Sequence, residues 1–286
     1  MRHTCIVLAA AALVVALRAQ DQPLPELAPF LAGVRAHLRT DRALLSQYTY
    51  LERRREIRLN LLGKVDVGAE KVFQVYPGLD RVNTYRRLIE VDGKPRDPRE
   101  LEQDDLRQQK KVLDALQKRE RESEGDRQKR ERRVEKATRD EEATFDDLFR
   151  IHRMALVGRQ LRDGRPMIVV EFAPRPDVVP QTDDGRLMKK MKGRAWVSEA
   201  DFELARVDFE MLEDLSLGLV LGKLYKGAKA SIERRKVNDE VWLPAEVRFD
   251  GSGRVLVGKF HIDNVVEYSE YRKFSVASDT TFKVPK

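Results

Sequence analysis

Short segments of alternating apolar and polar residues recur along the chain, several of them bounded by Asp-Gly pairs. In the segment 241–249 every second residue is apolar, which predicts a β-strand with one buried face. Asp-Gly pairs at Asp92, Asp163, Asp184 and Asp250 are typical of hairpin turns, because both residues tolerate a positive φ. Strands that follow one another through short turns fold most simply into an antiparallel sheet.

The same patterns place the other elements. A helix is predicted at 24–47, and a turn at Gly251-Ser252-Gly253. Asp146-Asp147, after Thr144, is predicted to open a short helix that ends near His152. The predicted strands are 48–59, 65–76, 81–91, 155–161, 166–172, 193–198, 204–211, 226–235, 241–249 and 255–271.

The first 19 residues have the layout of a secretory signal peptide. A basic opening precedes a 13-residue run without charge, Cys5 to Leu17, and Ala19 offers a small residue for cleavage. The run is shorter than the roughly 20 residues that span a bilayer, so we favour cleavage near Ala19 over a membrane anchor. Export to the periplasm or beyond follows, and loss of Cys5 with the leader leaves a cysteine-free chain suited to an oxidising compartment.

Residues 99–142 are unusually rich in charged residues, with 14 basic and 14 acidic residues among 44 positions. No apolar side chain occurs from residue 117 to 133, and a helix that is polar all round buries nothing. We therefore predict a solvated helical arm, interrupted at Gly125. A coiled-coil partner site is the alternative, although sustained apolar a and d positions are missing. The balanced charge disfavours nucleic-acid or anionic-membrane binding.

Few residues are candidates for catalysis or metal binding. Without the leader the chain has three histidines, His37, His152 and His261, none of them at metal-ligand spacing to another. They are predicted to be surface or hydrogen-bonded side chains. No nucleophile elbow occurs. The sequence therefore predicts no catalytic residue, no metal ion and no cofactor.

Residues 215–222 form the most apolar segment outside the leader, and two glycines leave space beside its backbone. The segment either closes a buried core or forms the wall of an apolar cavity that holds a ligand. The same two alternatives apply to the tryptophans and to Phe202. If these residues line a cavity, the predicted ligand-binding residues are Trp196, Phe202, Leu215, Leu217, Gly218, Leu219, Leu221 and Trp242.

Two segments resemble a known superfamily. Gly193-Arg194-Ala195-Trp196-Val197, followed after a turn by Leu204-Ala205-Arg206-Val207, is similar to a hairpin of periplasmic lipoprotein-carrier proteins and of the related sensor-binding regulators of the envelope stress response. Val237-Asn238-Asp239-Glu240-Val241-Trp242-Leu243-Pro244 resembles the C-terminal half of the same superfamily. The likeness is greatest to its exported bacterial members that are labelled outer-membrane lipoprotein-sorting-like. It covers about residues 144–274 and, more loosely, 48–91.

The resemblance implies an α+β fold, with a strongly curved antiparallel sheet (an unclosed β-barrel), an N-terminal helix and helices on the concave face. It also implies a cavity for acyl chains or another lipid. The charged insertion departs from the compact carriers. The expected organisation is a signal peptide (1–19), the helix and first strands (20–98), the charged helical insertion (99–143) and the strands that complete the barrel (144–286).

Two functions stay open. The first is a non-catalytic periplasmic binding or carrier protein for acyl chains, lipids or lipidated proteins, with outer-membrane association as an option. The second is an envelope interaction or scaffold protein, whose partner contacts the 99–143 arm or a sheet edge. An enzyme is a distant third, because no catalytic constellation is readable. For either of the first two functions we expect no nucleic-acid partner, and no transmembrane span after the leader.

Overall fold

The computed structural model describes residues 22–60, 62–77, 84–217, 222–256 and 258–273. Its helices are α1 (Leu27–His37), α2 (Asp41–Leu45), α3 (Pro98–Glu120), α4 (Glu124–Ile151) and α5 (Asp183–Met188). Its strands are β1 (Tyr48–Leu59), β2 (Val65–Tyr76), β3 (Tyr85–Val91), β4 (Lys94–Pro95), β5 (His152–Arg162), β6 (Arg165–Pro174), β7 (Met191–Ser198), β8 (Leu204–Met211), β9 (Leu215–Leu217), β10 (Gly222–Leu224), β11 (Lys229–Val237), β12 (Val241–Val255) and β13 (Gly258–Lys273). The predicted α+β class, with antiparallel strands and a charged helical insertion, is confirmed.

The chain divides into two compact units, each built from two stretches of sequence. Among the described residues, unit 1 comprises 22–38 and 143–213, and unit 2 comprises those of 39–142 and 214–273. One boundary falls inside α4.

Unit 1 contains an antiparallel sheet with the strand order β8-β7-β6-β5. Helix α1 contributes Phe30 and Val34, one helical turn apart, to an apolar cluster with Ile168 and Val170 of β6 and Val197 of β7. Alternate residues of a strand face the same side of a sheet, so these strand residues form one side. That side of the sheet, together with α1, is the apolar core of unit 1.

A buried arginine of β5, Arg159, binds the backbone of residues 22 and 23. The side chain of Arg159 is only 3% exposed, and its Nε and Nη2 donate to the two carboxylate oxygens of Glu199 at 2.7 Å. Nη1 donates to the carbonyl oxygen of Gln22 at 2.7 Å, and Nη2 to that of Pro23 at 3.2 Å. Hydrogen bonds from a charged donor are stronger than neutral ones, so residues 22 and 23 are fixed beside β5.

Unit 2 contains a larger antiparallel sheet with the strand order β4-β3-β2-β1-β13-β12-β11, and the short β10 pairs with both β12 and β9. The first strand, β1, therefore pairs with the last, β13, with Tyr48 opposite Lys273. The predicted bounds of β1, β2 and β8 agree with the structure to the residue. Residues 81–83 of the predicted third strand lie outside the described residues.

The predicted turn at Gly251-Ser252-Gly253 is wrong. Strand β12 continues through these residues to Val255 and stays paired with β13. A Cβ on Gly253 would lie 2.2 Å from the carbonyl oxygen of Lys223 and 2.5 Å from the ring of Phe260. Gly253 is therefore needed because β10 and an aromatic ring approach the strand closely.

The predicted single helix at 24–47 is also wrong, because two helices occupy it. Leu38, the residue after α1, has an extended backbone with ψ 124°. The hydroxyl of Thr40 accepts a hydrogen bond from the N–H of Ala43 at 3.3 Å, which caps the start of α2. The apolar spacing continues through this break and so conceals it.

The charged insertion forms the helices α3 and α4, as predicted, but the break lies at residues 121–123, before Gly125. Asp97 caps α3, because its carboxylate accepts the N–H of Arg99 at 2.7 Å, and Pro98 occupies the first helical position. No residue of α3 is buried. None of the described helices is long and apolar enough to cross a membrane.

One carboxylate attaches α3 to the sheet of unit 2. Asp105 accepts hydrogen bonds from Nε and Nη2 of Arg87 at 2.9 and 2.8 Å, and from the hydroxyl of Tyr85 at 2.9 Å. Both donors lie on β3. Further along the arm, exposed i,i+4 pairs such as Lys136 and Asp140, 2.7 Å apart, add a few tenths of a kcal/mol each.

Candidate ligand-binding face

The two predicted ligand residues of unit 1 lie on opposite sides of its sheet. Phe202 packs on Phe30, with ring centroids 5.6 Å apart, and a Cβ on Gly33 would come within 2.7 Å of its ring. Trp196 belongs to the other alternating set of β7 residues, and its Nε1 donates to Oε1 of Gln160 at 2.8 Å. Phe202 therefore packs with the apolar core, and the structure does not bring it together with Trp196.

The described ligand candidates of unit 2 lie near opposite ends of β12. Trp242 is near its start, whereas Leu215 pairs with Leu224, which pairs with Gly253 near its end. An extended strand covers about 35 Å between residues 242 and 253, so Leu215 and Trp242 are not neighbours. The remaining candidates, whose role stays a prediction, lie outside the described residues or have an undescribed side chain, and they are Gly218, Leu219, Leu221 and Leu217.

Trp242 shares one side of the unit 2 sheet with a cluster of aromatic and ionisable side chains, which we call the tyrosine face. On β1, Tyr50 and Glu52 point to the same side, and Glu52 is opposite Tyr268 of β13. The ring of Tyr50 lies 5.9 Å from that of Tyr268 and 5.5 Å from that of Tyr271. The tyrosine face is defined by Tyr50, Glu52, Arg234, Trp242, Tyr268 and Tyr271.

Burial is the main cause of the raised pKa of Tyr50, Tyr268 and Tyr271. Burial, with a smaller contribution from the Glu52 carboxylate, raises the pKa of Tyr50 to about 12. Burial also raises the pKa of Tyr268 and of Tyr271 above the ordinary value. At neutral pH the three hydroxyls are therefore protonated, so they donate and accept hydrogen bonds but do not act as general bases.

Two charged side chains, Glu52 and Arg234, are buried on the tyrosine face, and both are ion-paired. Glu52 is 2% exposed and accepts from Nε of Arg86 at 3.3 Å. Its Oε1 lies 3.3 Å from Nε of Arg54 but has no hydrogen-bond partner among the described residues. Arg234 donates from Nη2 to Asp41 at 2.5 Å, while its buried Nε has no partner in the described part of the chain. Buried polar atoms of this kind are uncommon and call for an explanation.

A further buried carboxylate, Asp147, anchors a loop in unit 1. It is 1% exposed, and its Oδ2 accepts from the N–H groups of Gln181 and Thr182 at 2.8 Å and from the Thr182 hydroxyl at 2.9 Å. Burial raises its pKa, but these bonds and one from Arg150 outweigh burial, so the pKa lies below the ordinary value. The predicted short helix starting at Asp146-Asp147 is wrong, because these residues lie near the end of α4.

The prediction that the histidines are surface or hydrogen-bonded side chains is confirmed. His152 is buried, with Nδ1 3.0 Å from the carbonyl oxygen of Leu148 and Nε2 3.2 Å from that of Met188. His37 and His261 are exposed, and each has a hydrogen-bond partner. Among the described residues, no group of three His, Cys, Asp or Glu side chains could hold a metal ion.

Comparison with known proteins returns distant similarities to solved structures. No family model and no curated protein matches the chain. Similar solved structures include a LolA superfamily protein from Nitrosomonas europaea (9% identity, 87% of this chain and 93% of that chain, TM-score 0.27). Others are an outer membrane lipoprotein-sorting protein domain from Vibrio parahaemolyticus (10% identity, 89% and 95%, TM-score 0.29) and MucB in complex with MucA(peri) (10% identity, 87% and 100%, TM-score 0.21).

One of these structures, the domain from Vibrio parahaemolyticus, is a lipoprotein-sorting protein of the kind that the two sequence segments resemble. Identities of 9–10% with TM-scores below 0.3 carry no ligand, partner or activity over to this chain. Its function has to be argued from its own residues.

Proposed function

We propose that this chain is a non-catalytic binding protein of the bacterial envelope that takes an acyl chain, a lipid or a lipidated protein on the tyrosine face. It would be exported by a signal peptide cleaved near Ala19 and act in the periplasm. The observation that supports this most is the clustering of three tyrosines with two buried charged side chains, Glu52 and Arg234, on one side of the sheet.

The chemistry of the tyrosine face supports a binding role. Ligand sites are mostly apolar and aromatic, with a few polar groups that orient the ligand. Tyrosine is suited to this, because its ring covers apolar groups and its hydroxyl bonds polar ones. Since the three hydroxyls are protonated at neutral pH, none of these tyrosines is an activated nucleophile or base.

The two tryptophans provide a direct test, because Trp196 lies in unit 1 and Trp242 on the tyrosine face of unit 2. We suggest titrating the chain with a brominated fatty acid, which quenches tryptophan fluorescence on contact. The variants Trp196→Phe and Trp242→Phe each retain one tryptophan and serve as matched controls. We expect saturable quenching when Trp242 is retained and none when only Trp196 remains.

Quenching of Trp196 alone, or of neither tryptophan, would contradict the proposal. A complementary measurement is lipid extraction and mass spectrometry of protein purified from the periplasm. There we expect a bound amphiphile in the wild-type chain.

The arm carries a second candidate function, an envelope interaction or scaffold role. Leu106 and Leu113 of α3 are 57% and 58% exposed, and Leu116 and Val134 are also exposed. Exposed leucines seven residues apart on one helix are typical of a contact surface for another helix. A partner bound there would be an envelope protein.

Deleting residues 103–139 distinguishes the two functions. Loss of partner capture with unchanged quenching of Trp242 supports the scaffold role of the arm. Retained capture with lost quenching contradicts it, since the arm would then affect only the ligand site.

A further inference from the structure

We propose that the distal segment of the arm, residues 106–133, binds the surface of an anionic phospholipid bilayer. The segment comprises the second part of α3, the break at residues 121–123 and the first part of α4. Binding of this kind goes beyond the ligand function of the tyrosine face and does not depend on it. A helical protein partner, as in the scaffold role, is the other occupant, and the test below distinguishes the two.

The charge of the insertion is balanced in total but separated along the chain. The distal segment holds 11 basic and 6 acidic residues, a net charge of +5. The flanking residues 99–105 and 134–142 hold 3 basic and 8 acidic residues, a net charge of −5. The balance therefore disfavours an anionic partner for the insertion as a whole but favours one for the distal segment, because a partner responds to the local charge.

Arginines from outside the insertion bind carboxylates at the start of α3. Arg96 pairs with Asp104 at 2.7 Å, and Arg87 pairs with Asp105 at 2.8 Å. Asp104 also pairs with Arg107, the first cation of the distal segment. Without Arg107 the distal segment still has ten basic against six acidic residues. Its positive charge is therefore not neutralised by these carboxylates.

Three lysines of α3 are available to an anionic surface. Lys110, Lys111 and Lys118 are exposed, and none of them has an ion-pair partner among the described residues. On α4, the stretch 127–133 adds five basic residues in seven positions. Attraction to an anionic bilayer acts over a Debye length of about 10 Å, so the cations contribute without direct contact.

An apolar stripe on α3 distinguishes a bilayer from other anionic partners. Leu106, Leu113 and Leu116 are 57%, 58% and 39% exposed, and their spacings of seven and three residues place them on one side of the helix. Lys110, four residues after Leu106 and three before Leu113, borders this stripe. Basic helices with an exposed apolar stripe are typical of membrane interfaces. A nucleic acid or an anionic polysaccharide would leave the leucines uncovered.

Co-sedimentation with vesicles tests this binding. Protein purified from the periplasm is mixed with vesicles of phosphatidylcholine alone, or with vesicles that contain roughly one third phosphatidylglycerol. We expect binding to the anionic vesicles to be at least about tenfold tighter, and about 0.5 M NaCl to remove most of the preference by screening. Equal binding to both kinds of vesicle, or binding to neither, overturns the proposal.

A triple variant measures the contribution of the distal lysines. It carries Lys110→Gln, Lys111→Gln and Lys118→Gln, all at exposed positions of the helix. We expect its affinity for the anionic vesicles to fall about tenfold or more, since each lysine near an anionic surface contributes up to about fivefold. Unchanged affinity would overturn the assignment of the distal segment.

The matched control has the same net charge but an intact arm. It carries Lys226→Gln, Lys229→Gln and Lys259→Gln, at exposed positions elsewhere in unit 2, and should bind the anionic vesicles as tightly as the wild type. A loss equal to that of the arm variant would show that net charge alone determines binding, which overturns the proposal. A retained leader would be common to all the variants, so their comparison isolates the arm.

The double variant Leu113→Gln with Leu116→Gln tests the apolar contact at constant charge. We expect about tenfold weaker binding to the anionic vesicles, because two leucines lose their contact with the acyl layer. Unchanged binding would leave an attraction of charge alone and overturn the bilayer as the occupant. If the wild type binds neither kind of vesicle and the leucine variant loses capture of an envelope protein, the segment docks a protein and the proposal is overturned.

Discussion

Units 1 and 2 each present one side of an antiparallel sheet that holds buried side chains, but the chemistry of those side chains differs. In unit 1 the side that faces α1 is apolar, with Phe30, Ile168 and Val197 almost completely buried. In unit 2 the tyrosine face combines the buried charged side chains Glu52 and Arg234 with three tyrosines. The same strand architecture therefore supports an apolar core in one unit and a polar aromatic face in the other.

The difference separates the residues that stabilise the chain from those suited to binding. Burial of apolar side chains stabilises a fold by about 25 cal/mol per Å². Burial of a charged pair is often no more stabilising than an apolar replacement, because desolvation offsets the attraction. A contribution to stability is therefore a poor explanation for buried charged residues such as Glu52 and Arg234. Residues that break the usual rules of core composition are typical of functional sites.

The largest effect is expected in the apolar core of unit 1. Phe30→Ala should lower the free energy of unfolding by about 3–5 kcal/mol, because the removed ring leaves a cavity. The control Leu27→Ala lies on the same helix at 40% exposure and should cost about 0.5 kcal/mol or less. Chemical denaturation measures both variants. Equal costs would show that α1 does not close a core.

A smaller effect is expected at the buried carboxylate of unit 1. Asp147→Asn should cost about 2 kcal/mol at pH 7, since an amide cannot accept on both sides from Gln181, Thr182 and Arg150. Its pKa is lowered in the folded chain, so the stabilisation is present above the unfolded pKa of about 4 and is lost as the pH falls below it.

Denaturation at pH 7 and at pH 3 checks this dependence on pH. The difference between wild type and Asp147→Asn should shrink in acid. The neighbouring Asp146→Asn, whose side chain is 72% exposed, should show a small cost at both pH values. A cost that stays constant with pH would contradict the role given to the ionised carboxylate.

The smallest effect is expected on the tyrosine face, and only in alkali. The pKa of Tyr50 is raised to about 12 from an unfolded value of about 10, so the folded chain favours the protonated phenol. Its contribution to stability is present below pH 10 and is lost as the pH rises from 10 to 12.

Absorbance of tyrosinate at 295 nm measures this directly. At pH 11 the folded chain should retain protonated tyrosines that titrate on unfolding, and Tyr50→Phe should reduce their number. Titration of every tyrosine near pH 10 in the folded chain would show that the tyrosine face is open to water.

Strands were predictable from sequence where a single residue pattern determines them. The predicted bounds of β1, β2 and β8 agree with the structure to the residue. The turn predicted at Gly251 failed because glycine has two uses that look alike in a sequence. It permits a turn, and it also permits another strand or ring to approach, as Lys223 and Phe260 approach Gly253.

The candidate site was predictable only in part, for reasons of distance along the chain. Trp242 was proposed from sequence, but Tyr50 and Glu52 were not, although tyrosines alternate at the start of β1 and recur in β13. These residues meet because the first strand pairs with the last, with Glu52 opposite Tyr268. No local pattern reveals that pairing. The unit boundaries after Leu38 and Glu213 likewise coincide with no change of composition.

The contact of Arg159 with residues 22 and 23 has a consequence for how this chain can change over time. The guanidinium binds the backbone carbonyl oxygens of Gln22 and Pro23, which every amino acid possesses. Substitutions at these two positions therefore leave the contact in place, whereas Arg159 and Glu199 are not free to vary. Residues 22 and 23 can therefore drift in sequence without loosening their attachment to unit 1.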